Sequence, residues 1–353
     1  MLKYEKFIYH YKLRHKATMN FTLKQAQKLT NVNSGKKVAI IGSGPAGLTA
    51  ANELVCLGHE VHVYEQMPEA GGLLIFGIPE ERIKKEQVRE CVNKLKEMGA
   101  VFYPNIKIGY DIKLSELLKR YDAVLIATGA WKNRRLGIRG EDLEGVHHAL
   151  DYIIYHNSVK LGYSGMHDLP PLHGCVAVIG GGLTAVDACQ TVLELGVKRV
   201  FLIYRRTKTQ APAGRYQIEK LEAKGVEFVE LAQPVEFIGN ENNRVKAIKL
   251  IKTRLQNVSN RRPEPVPIKG SEYVIDVDHV LLAIGLCSTL PVGEENLEIT
   301  KNHECGEDSC RTNIDKVFVA GDVRHGASFI GPAIASGMKA AKEIHEYLSK
   351  TKC

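Results

Sequence analysis

The sequence predicts an α/β fold in which two similar domains, each built on a strand, a glycine turn and a helix, are nested one in the other. The first domain opens with the apolar run Val38–Ile41 and turns at Gly42, and the second opens at Cys175 and turns at Gly180. Continuous apolar runs are typical of strands that are covered on both faces of a parallel sheet. A late apolar strand, Val317–Ala320, is expected to rejoin the first sheet, so that the second domain interrupts the first.

The remaining elements follow from the spacing of apolar residues and from glycines that end them. We expect helices at 45–57, 82–98 and 331–348, and strands at 61–65, 123–127, 199–204, 226–230, 245–255 and 280–285. A looser stretch, 140–173, predicts the crossing between domains. The predicted boundaries are a basic arm at 1–35, a first domain at 36–150 that resumes at 289–353, and an inserted domain at 151–288.

The composition is that of a globular protein of about two domains, with 353 residues, 44% hydrophobic and 25% charged. No apolar run is long enough for a membrane span, and the N-terminus lacks the apolar core of a secretory signal. The eight cysteines include no C-x-x-C pair, which favours a reducing cytoplasm over a disulfide framework. Cys305 and Cys310 fall in a polar loop, where we expect solvent-exposed thiols rather than a metal half-site.

Much of the net charge of +8 lies in the first thirty residues, which hold seven basic residues and one acid. Tyr4, Phe7, Ile8 and Tyr11 have the spacing of one face of an amphipathic helix. The simplest interpretation is a helix packed on its own protein with a solvated basic face. Docking to an acidic partner subunit is the first alternative, and nucleic-acid or membrane-surface binding by the arm is the last. For the protein as a whole we predict no nucleic-acid partner and no membrane span.

The first glycine turn has the spacing G-x-G-x-x-G at Gly42, Gly44 and Gly47, between a strand and a helix. The first glycine permits the turn, the second lets a pyrophosphate approach, and the third allows close packing of helix and strand. The pyrophosphate then lies at the N-terminus of the helix, where unpaired N–H groups favour anions. Glu65, at the end of the next strand, is placed to accept hydrogen bonds from both ribose hydroxyls.

The second glycine turn, Gly180 to Ala185, follows the same pattern with alanine at the third position. Allowing one extra turn residue, Tyr204 falls where the first domain has its acid, and Arg205 and Arg206 follow it. Guanidinium groups suit a 2′-phosphate, so the pair favours NADPH over NADH. The alternative is that both arginines are solvated residues at the end of a strand.

A third pattern follows the last apolar strand. The carboxylate of Asp322, directly after Gly321, can accept hydrogen bonds from a polyol such as a ribityl chain. The N-terminus of the last helix, around Gly331–Ala333, could face the edge of a flavin ring and stabilise its negative charge.

Together these patterns resemble the FAD- and NADPH-binding part of the glutamate synthase small (beta) subunit family. Relatives of that family include the large subunit of NADH-dependent ferredoxin:NADP oxidoreductase and the corresponding part of dihydropyrimidine dehydrogenase. Supporting segments are Gly71–Pro79, Ala127–Ala130, Ala283–Gly285 and Tyr204–Ala213. The resemblance, over about 36–348, implies two Rossmann-like dinucleotide-binding domains of the glutathione-reductase type, with the NADPH domain inserted in the FAD domain.

The resemblance also implies the binding residues. FAD is expected at Gly42, Ser43, Gly44, Pro45, Ala46, Gly47, Glu65, Gln66, Gly72, Leu73, Gly77, Ile78, Thr128, Gly129, Gly321, Asp322, Gly331 and Ala333. NADPH is expected at Gly180, Gly181, Gly182, Leu183, Thr184, Arg205, Arg206, Ala283 and Gly285. No catalytic side chain and no metal ligand is predicted, because hydride transfer between nicotinamide and flavin is chemistry of the cofactors.

The sequence departs from the family at three points. Leu183 stands where the family has asparagine, and Glu81 where it has an aromatic residue, so contacts there are expected to differ. The family's N-terminal iron–sulfur domain has no counterpart before Lys36, where there is no cysteine. We therefore expect an oxidoreductase subunit that passes electrons between NADPH and an iron–sulfur or other electron-transfer subunit, as in glutamate synthase, formate dehydrogenase or a hydrogenase-like complex. A free-standing NADPH reductase of a small acceptor and an FAD-bound structural or sensor subunit stay open as alternatives.

Overall fold

The computed structural model describes residues 34–163, 170–259, 262–288, 290 and 309–350. The predicted amphipathic helix around Tyr4–Tyr11 and Cys305 lie outside the described residues. The described chain divides into two compact units. The first unit comprises 34–75, 80–132 and 286–350, and the second comprises 76–79 and 133–285.

The first unit is a five-stranded parallel sheet in the order β15-β4-β1-β2-β3. Its strands are β1 (Lys37–Ile41), β2 (Glu60–Tyr64), β3 (Val101–Tyr103), β4 (Ala123–Ile126) and β15 (Val317–Val319). Its helices are α1 (Pro45–Cys56), α2 (Leu73–Phe76), α3 (Lys85–Glu97), α4 (Leu114–Arg120), α8 (Asp322–His325) and α9 (Ile330–Lys350). Strands β4 and β15 are buried along their whole length, as their uninterrupted apolar sequences predict.

The second unit repeats this arrangement as a parallel sheet in the order β6-β13-β7-β8-β9. Its strands are β6 (Val146–His148), β7 (Cys175–Ile179), β8 (Arg199–Tyr204), β9 (Val226–Glu230) and β13 (His279–Leu282). An antiparallel sheet follows in the order β10-β11-β12, formed by β10 (Ala232–Gly239), β11 (Val245–Gln256) and β12 (Glu264–Asp276). The helices are α5 (Ala149–Lys160), α6 (Leu183–Glu194) and α7 (Arg215–Glu222), with a 3-10 turn at Lys208–Gln210.

The crossings between the units differ from the predicted boundaries. The chain enters the second unit at Asn133 and leaves it after Gly285, near the short strands β5 (Lys132–Asn133) and β14 (Leu286–Cys287), whereas the predicted crossings were at 150 and 288. The segment before residue 150 belongs to the second unit because β6 pairs with β13, which lies far away in sequence. The stretch after residue 140, predicted as a loose crossing, instead contains β6 and the helix α5 of the inserted unit.

Two further predictions are corrected by local structure. The helix predicted from Arg82 begins at Lys85, whose N–H donates to the Glu80 carboxylate (3.2 Å). Cys310 is fully buried rather than exposed, and burial raises the pKa of its thiol to about 12. The cause is pairing across the chain, since the Val319 N–H donates to the carbonyl of Cys310 (2.7 Å). Among the described residues, no helix is both long and apolar enough to cross a membrane.

Candidate nucleotide sites

The first glycine turn packs directly against the neighbouring strand end. A Cβ on Gly42 would lie 2.5 Å from the carbonyl oxygen of Ala127 and 3.2 Å from the Cα of Thr128. Helix α1 then begins at Pro45, with Gly44 as an extended N-cap residue that provides no side-chain hydrogen bond. The first N–H groups of the helix therefore have no side-chain cap, which is the arrangement that binds a pyrophosphate.

Glu65 is fastened to this turn by hydrogen bonds. One carboxylate oxygen accepts from the backbone N–H of Ser43 (2.9 Å) and from the Ser43 hydroxyl, and the other accepts from the N–H of Met67 (2.9 Å). Burial raises the pKa of Glu65, and the hydrogen bonds from Ser43 and Met67 oppose that effect. A carboxylate offers about four acceptor positions. Ser43 and Met67 occupy three of them, and an interaction with the backbone of Gln66 also favours the ionised carboxylate.

Two other predicted FAD segments converge on the same turn. The Ser43 hydroxyl accepts from the N–H of Gly71 (2.9 Å), and a Cβ on Gly72 would lie 3.2 Å from the Cα of Gly44. A Cβ on Gly321 would lie 2.9 Å from the Cβ of Ala46. The structure therefore brings together the strand ends that the sequence predicted separately.

The other predicted FAD residues surround this group or lie apart from it. Leu73 opens α2, Asp322 opens α8 after Gly321, and Gly331 and Ala333 are buried in the first turn of α9. Thr128 and Gly129 follow β4, while Gln66 is exposed. Gly77 and Ile78 fall in the short segment assigned to the second unit, so their place beside the first turn stays a prediction.

The second glycine turn repeats the geometry of the first. A Cβ on Gly180 would lie 2.4 Å from the carbonyl oxygen of Ala283. Helix α6 begins at Leu183 after the extended residue Gly182, again without a side-chain cap, and Thr184 lies in its first turn. Gly285 lies beyond Ala283, and its carbonyl accepts from the N–H of Arg134 (3.2 Å).

The strand register supports the predicted equivalence of Glu65 and Tyr204. Ile41 pairs with Tyr64 in the first sheet, and Ile179 pairs with Ile203 in the second. The next residue on the second strand of each pair is therefore Glu65 in the first unit and Tyr204 in the second. The Tyr204 ring packs under the second turn, where a Cβ on Gly181 would lie 2.4 Å from it.

Arginines surround this strand end. Desolvation by burial and the positive charge of Arg206 lower the pKa of Arg205, and the charge of Arg262 adds to the effect. Arg206 donates through Nε to the carbonyl of Pro263 (2.9 Å), and Arg262 donates to the Tyr204 hydroxyl (2.8 Å). The sequence analysis missed Arg262. Its basic pair with Arg261 was visible, but nothing local to that pair connects it with β8.

The donor sets fit one dinucleotide in each unit. At both Gly44 and Gly182, apart from the chain neighbours, no atom of the described residues lies within 4 Å of the position that a Cβ would take, so the backbone faces open space at each helix N-terminus. One site carries a buried carboxylate, and the other carries arginines. Among the described residues, no group of three or more metal-ligating side chains forms a metal site. The fold and the two sites thus place the protein in the class of oxidoreductases that have two dinucleotide-binding units.

Comparison with known protein families makes the assignment specific. Residues 36–343 match the family model described as pyridine nucleotide-disulphide oxidoreductase, and the chain belongs to that family. The glutamate synthase [NADPH] small chain of Halomonas elongata is 37% identical over 323 residues, which cover 89% of this chain and 68% of that protein. The predicted family, fold class and cofactor pair, FAD with NADPH, are thereby confirmed.

Two other similarities set the limits of the comparison. The NADP(+)-dependent formate dehydrogenase subunit beta of Moorella thermoacetica is 35% identical over 91% of this chain, but the chain spans only 45% of that relative. FprA of Mycobacterium tuberculosis, solved in complex with NADPH, superposes with a TM-score of 0.74 at 22% identity, covering 90% of this chain and 85% of that one. At that identity the structural match shows the fold alone.

Proposed function

We propose that this chain is the NADPH-oxidising flavoprotein part of an electron-transfer complex, and that it delivers electrons to an iron–sulfur partner subunit. The observation that carries the proposal is the contrast between the two units at equivalent strand ends. The first presents a buried carboxylate, Glu65, and the second presents Arg205 and Arg206 after Tyr204. A carboxylate suits an unmodified ribose, and guanidinium groups suit a ribose 2′-phosphate.

The first unit holds FAD in this proposal. The uncapped N-terminus of α1 binds the pyrophosphate, and Glu65 accepts hydrogen bonds from the ribose. Ser43 positions Glu65 rather than touching the ribose, because its hydroxyl already bridges Glu65 and the N–H of Gly71. Asp322 and the first turn of α9 are assigned to the ribityl chain and the flavin ring.

The second unit holds NADPH. The N-terminus of α6 binds its pyrophosphate, while Arg205 and Arg206 bind the 2′-phosphate through paired N–H donors. When bound, NADPH and FAD would supply the chemistry: the nicotinamide would give a hydride, which is two electrons and a proton, and the flavin would pass the two electrons on one at a time and release the proton. The residues of the chain bind and orient the two nucleotides, and no protein acid or base is required.

Membership of a larger assembly is inferred from the names of two relatives, and the iron–sulfur nature of the partner from the family resemblance. The formate dehydrogenase and glutamate synthase relatives are named as a subunit and a small chain, which describes components of larger assemblies. We expect this chain to work in the same way, in the cytoplasm. The six described cysteines are free thiols, which fits a reducing compartment.

Anaerobic titration of the purified, flavin-loaded chain with NADPH tests the enzymatic part of the proposal. We expect stoichiometric loss of flavin absorbance, with NADH much less effective. A chain that retains flavin but is not bleached by NADPH would instead support a structural or sensor subunit.

Isolation of the native protein tests the partner. We expect an iron–sulfur subunit to co-purify and to accept electrons from NADPH through this chain. A chain recovered alone that rapidly reduces a quinone or another small acceptor would contradict the complex and favour a free-standing reductase.

A further inference from the structure

A third arginine joins the Arg205–Arg206 pair from a distant part of the second unit. Arg262, two residues before the start of β12, donates from Nη2 to the Tyr204 hydroxyl at 2.8 Å. The next residue, Pro263, accepts from Nε of Arg206 at 2.9 Å. Two separate hydrogen bonds therefore tie the segment before β12 to the end of β8.

Hydrogen bonds also hold the backbone of the arginine pair. The Thr253 hydroxyl, on β11 of the antiparallel sheet, donates to the carbonyl of Arg205 (2.9 Å), and the N–H of Leu231, between β9 and β10, donates to the carbonyl of Arg206 (3.2 Å). Tyr204 is in turn held by its ring contact beneath Gly181 and by donation to the carbonyl of Gln210 (3.3 Å). The three arginines are thus mounted on fixed elements.

The charge of the group is uncompensated within the part of the chain that the structure describes. No ion pair joins Arg205, Arg206 or Arg262 to a described carboxylate. Each guanidinium carries five N–H donors, and the hydrogen bonds above use one on Arg206 and one on Arg262. Three neighbouring cations with donors to spare fit a doubly charged phosphate better than a neutral hydroxyl.

We propose that Arg262 is a third ligand of the nucleotide 2′-phosphate, so that the antiparallel sheet contributes to the choice of NADPH over NADH. The Tyr204 hydroxyl is a positioning group that holds the Arg262 side chain over the strand end. This inference rests on the proposed function, because it assumes that the second unit binds a pyridine nucleotide.

The test measures binding of two probes to the full-length, flavin-loaded protein by titration calorimetry. Adenosine 2′,5′-bisphosphate and adenosine 5′-monophosphate differ only in the 2′-phosphate. We expect Arg262→Ala to lower the affinity for the bisphosphate by about tenfold or more and to leave the affinity for the monophosphate unchanged. Arg262→Lys should recover part of the lost affinity, and Tyr204→Phe should cause a smaller loss with the same selectivity.

Arg139→Ala is the matched control, because it removes one positive charge from an exposed side chain of the same unit. It should change neither affinity. Equal weakening of both probes by Arg262→Ala would show a merely structural role and overturn the inference, as would unchanged affinity for the bisphosphate. If the unmodified protein binds neither probe, or binds both equally well, the proposed NADPH site itself fails.

Discussion

The two nucleotide units share a topology and differ at the residue that follows the second strand of each. In the first unit that residue is Glu65, which hydrogen-bonds back to the turn through Ser43. In the second it is Tyr204, whose ring fills the space beneath Gly181, with arginines beyond it. In the proposed function the shared glycine turn binds the pyrophosphate of each nucleotide, while the next strand end sets the charge that each site offers to the ribose.

The units also differ at the third position of the glycine motif. A Cβ on Gly47 would lie 2.0 Å from the carbonyl oxygen of Gly42, whereas the second unit carries Ala185, fully buried, at the corresponding position. The turn residues have different conformations, with φ of 98° at Gly42 and 151° at Gly180. One motif therefore tolerates a methyl group where the other does not, although their spacing is identical.

The largest expected effect comes from making the first turn resemble the second. Gly47→Ala should destabilise the first unit by about 3 kcal/mol and prevent retention of FAD, since backbone atoms must move to admit the methyl group. Flavin content after gel filtration and urea unfolding measure both effects. The opposite change at the corresponding position of the second unit, Ala185→Gly, should lower the free energy of unfolding by only about 1 kcal/mol and leave the flavin content normal. Normal flavin in Gly47→Ala would contradict the packing difference.

The next effect concerns the carboxylate that only the first unit has. Glu65→Gln replaces one acceptor oxygen by an NH₂ donor that faces backbone N–H groups. This change should lower the free energy of unfolding by about 2 kcal/mol and weaken the binding of FAD. Flavin release during dialysis and thermal unfolding are the measurements. Glu97→Gln, the same change on an exposed residue of α3, is the control. Equal flavin retention in the two variants would remove Glu65 from the site.

A change of nucleotide preference should follow from the arginines that only the second unit has. The double variant Arg205→Ala with Arg206→Ala should lower kcat/KM for NADPH by about 100-fold and change that for NADH little. Arg199→Ala, at the other end of β8, is the control and should leave the NADPH preference intact. A parallel loss with both nucleotides would show that the pair supports the fold instead of the 2′-phosphate.

The last prediction is a pH dependence that arises from His279 in the second unit. The first residue of β13, His279, is fully buried, and burial together with His173, Arg244 and His147 lowers its pKa from 6.5 to about 4. The unfolded chain then takes up the proton first, so stability is lost as the pH falls from about 6.5 to about 4. The corresponding residue of β4 in the first unit is Ala123, which cannot titrate.

Peptide-resolved hydrogen exchange across that pH range measures the effect unit by unit. Protection of β7 and β13 should decrease over this range, and His279→Gln should reduce that decrease, because the buried ring whose protonation is unfavourable is gone. Protection of β1 and β4 should respond to pH equally in parent and variant, because burial also lowers the pKa of His62 on β2, which the substitution leaves unchanged. No difference between parent and variant in β7 and β13 would locate the titrating group elsewhere.

The sequence predicted most of the fold because the signals of each element are local. The apolar runs of β1, β4 and β7, and the glycine turns after β1 and β7, were found within a residue or two of their observed limits. The equivalence of Glu65 and Tyr204 was also derived from spacing, and the strand register agrees with it. The predicted binding residues remain predictions, although many of them converge on the two turns.

By itself, then, the sequence determined that two strand–glycine–helix units exist. It also determined that an acid follows the second strand of the first unit and that arginines follow the second strand of the other. These features depend on neighbours a few residues apart along the chain. Only the tertiary structure decided the entry into the second unit at Asn133, the burial of Cys310 and the approach of Arg262 to Tyr204. Each of those depends on contacts between segments that are distant in sequence, and no local pattern records which distant segment a strand will meet.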